Sequence, residues 1–338
     1  MQGFCGRVGT LADIVFPVLL GADFVDHSFV VRLTLSCRRC LRKTSHASLS
    51  SWFETRSVLG GPVRGYISGN LLLDVLGRGS IGSVFRARSC ENGNDVAIKF
   101  VNSAKYHVLL AACSSRLDFT SESRWLQRLC HPGIITIQKI ILDPSGIAVV
   151  MPCYNGGDLL QNIIANGPYD VCRSWRVCGS IGKALIYLHE LLVVHRDVKA
   201  ENVLLRFGSA YECTAVLSDF DCARESPGPY SCATVLGSPM YRAPEVWLTG
   251  WGMKDGYGLF ADVWSFGVFL YTVVSGLFPF DEDAPHADIQ CARFEYGDEL
   301  WRGAASAAKP LIMDICMLEP RHRLSLRRAL HWLESMQA

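Results

Sequence analysis

His195-Arg196-Asp197-Val198-Lys199-Ala200-Glu201-Asn202 sets an aspartate, a lysine and an asparagine close together on one short stretch. Downstream stand Asp219-Phe220-Asp221 and then Ala243-Pro244-Glu245. Upstream stand Gly77-Arg78-Gly79-Ser80-Ile81-Gly82-Ser83-Val84 and Val96-Ala97-Ile98-Lys99. Each string alone is a weak signal, because glycine-rich loops are common and His-Arg-Asp is a chance tripeptide. All of them in this order, between residues 77 and 245, leave little room for accident.

The surrounding pattern supplies the elements that carry these strings. Apolar alternation around the glycine loop, and again over Asp95–Asn102, reads as successive strands. Phe119–Leu129 reads as a helix with Trp125, Leu126 and Leu129 on one face, and Ile134–Leu142 and Gly146–Met151 return to strand. Beyond Gly156-Gly157 the period turns helical over Leu159–Ala165, Val171–Glu190, 262–275 and 309–318. Strands first and helices afterwards predict an α+β architecture in two lobes. Gly60-Gly61-Pro62 and Gly65 break the chain, which places a boundary near 65–70.

Together, over about residues 71–333, the motifs resemble the eukaryotic-type serine/threonine protein kinase family. The resemblance implies a kinase domain over 69–335, with a small β-rich lobe to about 151 and a larger helical lobe from about 156. Residues 1–68 would be an N-terminal extension, poorly ordered or regulatory. It also implies ATP and Mg²⁺ as cofactors and protein Ser/Thr hydroxyls as acceptors. Leu76, Gly77, Gly79, Gly82, Val84, Ala97, Met151 and Cys153 are the expected ATP-binding positions, with glycine N–H groups facing the phosphates. Lys99 would pair with the phosphates and be held by Glu122, nine residues before His131-Pro132. The long gap from Lys99 to Glu122 predicts a longer loop over 105–118. Asp197 would orient the acceptor hydroxyl and take its proton, Lys199 would neutralise the transferring phosphate, and Asn202 and Asp219 would hold Mg²⁺. His195 is expected to pack under Phe220, Asp262 to brace the catalytic loop, and Glu245 to form a buried pair with Arg323.

One position departs from the family. Asp221 stands where glycine is usual, in a loop whose backbone angles most residues avoid. Its bland reading is a drifted position; its sharper one is a restricted loop with an extra carboxylate near the metals. Pseudokinases normally lose the equivalents of Lys99, Asp197 or Asp219, and all three are kept here. A nucleotide-binding scaffold without transfer is therefore the alternative reading. Met151-Pro152-Cys153-Tyr154 at the hinge is similar to herpesvirus kinases, so a viral member, acting in the host cell, enters as an expectation. Asp158 and Glu201 match two acidic positions that bind substrate arginines in cyclic-nucleotide-dependent kinases, whereas the third falls on Thr272. They imply a moderate preference for basic residues before the target. In the activation segment, Thr234 lies four residues before Ser238 and is the expected phosphosite, facing Arg196.

Bulk composition narrows the rest. The 338 residues are 49% hydrophobic with net charge +1, which argues for a buried core and against nucleic acid as a partner. Residues 1–68 hold 8 Lys/Arg against 4 Asp/Glu, and the remainder 25 against 28. The fourteen cysteines show no regular framework and read as mostly reduced, buried small side chains. Cys37 and Cys40, with His27, His46 and Cys5 nearby, make an incomplete zinc set, and Arg38-Arg39 with Arg42-Lys43 reads as a solvated basic face. Leu11–Ala22 is a poor signal peptide, interrupted by Asp13 and Pro17. Val263–Phe280 lacks charge but reads as a buried helix rather than a membrane span. Cytoplasmic or nuclear placement is expected. Oligomeric state is not legible.

Overall fold

The computed structural model describes residues 65–67, 69–78, 82–102, 119–143, 146–208, 213–280, 289, 291–296, 301 and 304–335. The Cys37/Cys40 pair, the basic run, Leu11–Ala22, Gly79 and the whole 105–118 connection lie outside them. A six-stranded antiparallel sheet comes first: β1 (Gly65–Ile67), β2 (Asn70–Arg78), β3 (Gly82–Ser89), β4 (Asp95–Asn102), β5 (Lys139–Asp143) and β6 (Gly146–Pro152), in spatial order β1-β2-β3-β4-β6-β5. β1 pairs with β2 through Gly65 and Leu72, so the sheet begins before residue 69.

β4 shows how the sequence builds the cleft. Side chains alternate across a strand. Val96, Ile98 and Phe100 enter a small core with Ile67, Leu72, Phe85, Ala148 and Val150. Val101 on the opposite face joins the large core with Val149 and Met151. Lys99 shares the parity of Val101 and so faces away from the small core.

The helical part follows α1 (Phe119–Arg128) and comprises α2 (Leu159–Asn166), α3 (Val171–Glu190), α4 (Pro244–Gly250), α5 (Phe260–Ser275), α6 (Ala304–Ile315) and α7 (Leu326–Ser335). The caps explain the starts: Asp158 accepts from Gln161 N at 2.8 Å, and Asp170 from Arg173 N at 2.9 Å. α5 is buried from Ala261 to Ser275; beyond Asp262 its sequence carries no charge. No helix among the described residues is long and apolar enough to cross a membrane. The sequence places α6 over 309–318, but the helix starts at Ala304 and ends at Ile315. Pro310 within it hid that start, because proline usually marks a helix's first turn. The cysteine expectation needs a similar correction. Among the described residues Cys178, Cys232 and Cys316 are buried, while Cys90, Cys130, Cys172 and Cys291 are exposed.

Two short ladders place the diagnostic loops side by side. β7 (Val193–Val194) pairs with β10 (Arg224–Glu225), and β8 (Val203–Phe207) pairs with β9 (Cys213–Leu217). Residues 195–202 run from β7 to β8, and 218–223 run from β9 to β10. Both loops are therefore anchored between the same two ladders, joined further by Ser218 N donating to Asn202 O at 2.8 Å.

Candidate active site

Asp197 is the centre of a polar cluster. Its Oδ1 accepts from Ser238 N at 2.9 Å and Ser238 Oγ at 3.1 Å. Its Oδ2 accepts from Asn202 Nδ2 at 2.9 Å and lies 2.8 Å from Lys199 Nζ. Lys199 Nζ also donates to Ser238 Oγ at 2.7 Å, so aspartate, lysine and serine form a closed triangle. Burial alone would raise the Asp197 pKa, but Lys199 and the Asn202 bond outweigh it and hold the group below its usual range. At neutral pH the site thus presents a carboxylate beside an ammonium group, suited to aligning a hydroxyl and taking its proton.

Asp262, in the first turn of α5, supports this loop from beneath. Its Oδ1 accepts from Arg196 N at 2.8 Å, and its Oδ2 accepts from His195 N at 2.8 Å and faces His189 Nε2 at 3.1 Å. Arg196 takes φ +67, a left-handed angle costly for its type, and the Asp262 bond helps pay for it. His195 is fully buried and meets the Phe220 ring edge-on at 4.7 Å, which agrees with a packing role. Burial pushes Asp262 up, but His189, the His195 ring and the His195 backbone N–H leave it depressed. A depressed carboxyl stabilises the fold above its unfolded pKa, near about 4, and that contribution is lost as pH falls through the lower folded value. Asp262→Asn is therefore expected to cost about 1.5 to 3 kcal/mol at neutral pH and to flatten the fall of stability with acid. Urea unfolding at stepped pH checks both.

The opposite wall comes from β4, α1 and the 219–221 loop. Lys99 Nζ lies 2.6 Å from Glu122 Oε2, 3.2 Å from Asp221 Oδ2 and 4.0 Å from Asp219 Oδ1. Burial would strip the Lys99 proton, but the three carboxylates dominate and raise its pKa. Phe220 N approaches Glu122 Oε1 at 3.4 Å, which links α1 to the loop. Asp219 takes φ +62. Asp221 is not among the residues with positive φ, so the constraint expected from replacing glycine does not arise. The contact between Asp221 and Lys99 was not foreseen from the sequence, because 122 residues separate them and no family pattern puts a carboxylate there. Burial and the Glu122 charge push Asp221 upward while Lys99 opposes them.

The expected nucleotide positions, apart from Gly79, fall on or just beyond the neighbouring strands β2, β3, β4 and β6. Gly77 pairs with Val84, Val84 with Lys99, and Ala97 with Met151. Ala97 and Met151 are buried, Val84 and Cys153 half-buried, and Leu76 exposed. Gly82 has a structural reason of its own: a Cβ there would sit 2.2 Å from Phe100 O.

The segment from 226 to 245 closes the site. Gly237 takes φ +84, and a Cβ on it would meet Arg196 O at 2.3 Å. This close approach brings Ser238 onto Asp197. Arg242 donates to Leu236 O at 3.3 Å and to Gly237 O at 2.5 Å, and lies over the Trp247 ring at 4.4 Å. Glu245 and Arg323 form a two-pronged pair, both contacts at 2.7 Å. Thr234 is exposed, and its carbonyl accepts from Tyr257 OH at 2.6 Å. Arg196 Nε donates to Cys222 O at 2.6 Å, while its Nη1 is buried without a partner. Of the acidic substrate candidates, Asp158 caps α2, and Glu201 accepts from Tyr241 OH at 3.3 Å. His189 and Tyr257 are further supporting side chains that no sequence motif marked.

Comparison with known proteins agrees with this geometry. Residues 72–333 match the protein kinase domain model. Similar curated proteins include the probable serine/threonine-protein kinase fhkE of Dictyostelium discoideum, 32% identical over 268 residues, which make up 78% of this chain and 37% of that protein. Serine/threonine-protein kinase DCLK3 of Mus musculus is 30% identical over 77% of this chain and 32% of its own length. Serine/threonine-protein kinase D2 of Rattus norvegicus is 33% identical over 78% and 29%. The chain spans less than half the length of these relatives. With the family model covering most of it and the loops, strands and ion pairs in their expected order, the chain belongs to the protein kinase domain family.

Proposed function

We propose that the chain is a serine/threonine protein kinase that transfers the γ-phosphoryl group of ATP to protein hydroxyls. The observation that carries this reading is the Asp197–Lys199–Ser238 triangle. It sets a carboxylate and an ammonium group where an acceptor hydroxyl and a transferring phosphoryl group would meet. Phosphoryl transfer depends on positioning and charge neutralisation more than on covalent chemistry. Asp197 orients the hydroxyl and accepts its proton as the new O–P bond forms and the bond from the γ-phosphorus to the β–γ bridging oxygen breaks, with ADP leaving. Lys199 offsets negative charge on the transferring group, and Lys99, held by Glu122, steadies the donor phosphates. Leu76, Gly77, Gly79, Gly82, Val84, Ala97, Met151 and Cys153 are the proposed contacts to ATP.

Asn202 and Asp219 would hold Mg²⁺. Their donors are oxygens, the hard ligands this ion prefers, and Asp219 Oδ1 is buried without a hydrogen-bond partner. When bound, the ion neutralises phosphate charge. Labelled ATP with a generic Ser/Thr substrate, run beside the Asp197→Asn protein, tests the whole reading. No specific observation favours the scaffold alternative. The hinge likeness to herpesvirus kinases gains no support from the relatives named above, which come from cellular organisms. Cytoplasmic or nuclear action on protein substrates is part of the proposal.

Two finer elements accompany it. Glu201 and Asp158 support a moderate preference for basic residues ahead of the target, weakened because Asp158 is committed to its helix cap and the third position is buried Thr272. A positional peptide library is expected to select Arg or Lys there; selection of proline after the target or of acidic residues would refute it. Thr234 is the proposed activating phosphosite. It is exposed, and on the 195–202 loop the buried Nη1 of Arg196 has no hydrogen-bond partner. Phosphate there would add about −2 charge. Thr234→Ala and Arg196→Ala are expected to lower kcat by at least about tenfold. Mass spectrometry finding Thr234 unmodified in fully active protein would end this proposal.

A further inference from the structure

We propose that Asp221 is a second anchor for Lys99, acting in parallel with Glu122, so that this chain holds its nucleotide-facing lysine by two elements instead of one. The inference rests on the kinase reading for its meaning in turnover. Its structural part stands on the Lys99 surroundings alone.

Lys99 Nζ meets Glu122 Oε2 at 2.6 Å and Asp221 Oδ2 at 3.2 Å. The two acceptors arrive from different elements: Glu122 from α1, Asp221 from the loop between β9 and β10. Both are largely enclosed, with side chains 7% and 24% exposed, against 18% for Lys99. An ammonium group has three donors, so it can satisfy both at once. The second bond joins β4 directly to the loop that carries Asp219 and Phe220. Either contact alone leaves Lys99 tethered, because an enclosed ammonium that loses one carboxylate still has the other within reach. The Asp221 oxygen serves as an acceptor in either protonation state. Asp221 is thus a positioning residue: it acts on the reaction through Lys99.

The test is a double-mutant cycle on the full chain with Glu122→Ala and Asp221→Ala. Alanine removes the oxygen without adding the backbone freedom of glycine. A misplacement of about 1 Å at a reacting group can cost about 10²-fold. Each single variant is therefore expected to lose no more than about threefold in kcat, and the pair together about 10²- to 10³-fold. Exchanging Asp221→Ala for Asp221→Asn in the Glu122→Ala background, which restores an acceptor oxygen, is expected to recover part of that loss. The second readout needs no turnover. Lys99 in the nucleotide-free protein is labelled with an amine-acylating reagent and quantified by mass spectrometry. Protection is expected to persist in both single variants and to fall at least about tenfold in the double variant.

A Glu122→Ala protein as impaired and as readily labelled as the double variant would overturn the proposal, as would single losses that simply multiply. If the wild type proves inactive on every substrate while labelling follows the expected pattern, the anchor stands and the kinase reading fails. Should Glu122→Ala not fold, amide exchange in Asp221→Ala decides: faster exchange across 219–223 supports the second anchor, and unchanged exchange removes it.

Discussion

Asp197→Asn is expected to lower kcat by about 10²- to 10⁴-fold while leaving the fold intact. The substitution keeps the size of the side chain and an oxygen that Ser238 N can still reach. What it removes is the carboxylate charge that faces Lys199 at 2.8 Å and the group able to take a proton. The new amide also presents N–H groups toward an ammonium and toward Asn202 Nδ2, which already donates to this side chain. Turnover suffers while global packing does not, because the partners are loop residues outside the large core. Lys99→Met is expected to abolish transfer as well, with a larger stability cost. It would leave Glu122, Asp219 and Asp221, whose oxygens lie within 4.8 Å of one another, without the cation between them. The measurement is steady-state phosphorylation of a Ser/Thr peptide, with thermal melts of both variants beside the wild type. Wild-type turnover in Asp197→Asn would remove Asp197 from the chemistry.

These two substitutions also show what the sequence could and could not reveal. Asp197, Lys199, Asn202 and Asp219 sit in short strings whose order carried their assignment, and the ladders β7–β10 and β8–β9 bring those strings together. Glu122 was found by its distance from His131-Pro132, and the Lys99–Glu122 contact is formed. Contacts set by tertiary approach left no such trace. Nothing local pairs Asp221 with Lys99, Tyr257 with the Thr234 carbonyl, or His189 with Asp262. Gly82 was legible only as a phosphate-loop glycine, because its second reason, the Phe100 carbonyl, belongs to the neighbouring strand. The helix over Ala304–Ile315 starts earlier than its local pattern suggests, because Pro310 lies within it rather than in its first turn.

Arg323→Ala is expected to be the most destabilising of the substitutions considered, at about 3 to 5 kcal/mol. Arg323 and Glu245 have side chains 0% and 4% exposed. Their two parallel contacts are the geometry in which guanidinium and carboxylate bind best. Arg323 also donates to Met317 O at 2.9 Å and Phe260 O at 2.7 Å, and lies over the Trp264 ring at 5.3 Å. Removing it leaves an enclosed carboxylate and two carbonyls unsatisfied, a loss that solvent cannot repair at this depth. For a domain of this size each kcal/mol moves the melting temperature by about 2 to 4 °C, so a fall of about 6 to 20 °C should appear in a thermal scan. Changing Glu245→Leu as well removes the stranded charge and is expected to restore only part of the loss, since the carbonyls of Met317 and Phe260 still lack their donor. A cost under about 1 kcal/mol, the range of exposed pairs, would show that the pair does not hold the segment. The consequence reaches the site through the chain itself. Glu245 lies seven residues after Ser238, and a loosened α4 releases the segment that presses Ser238 onto Asp197. Arg323→Ala protein assayed well below its melting temperature should therefore still lose turnover, although Arg323 touches none of the reacting groups.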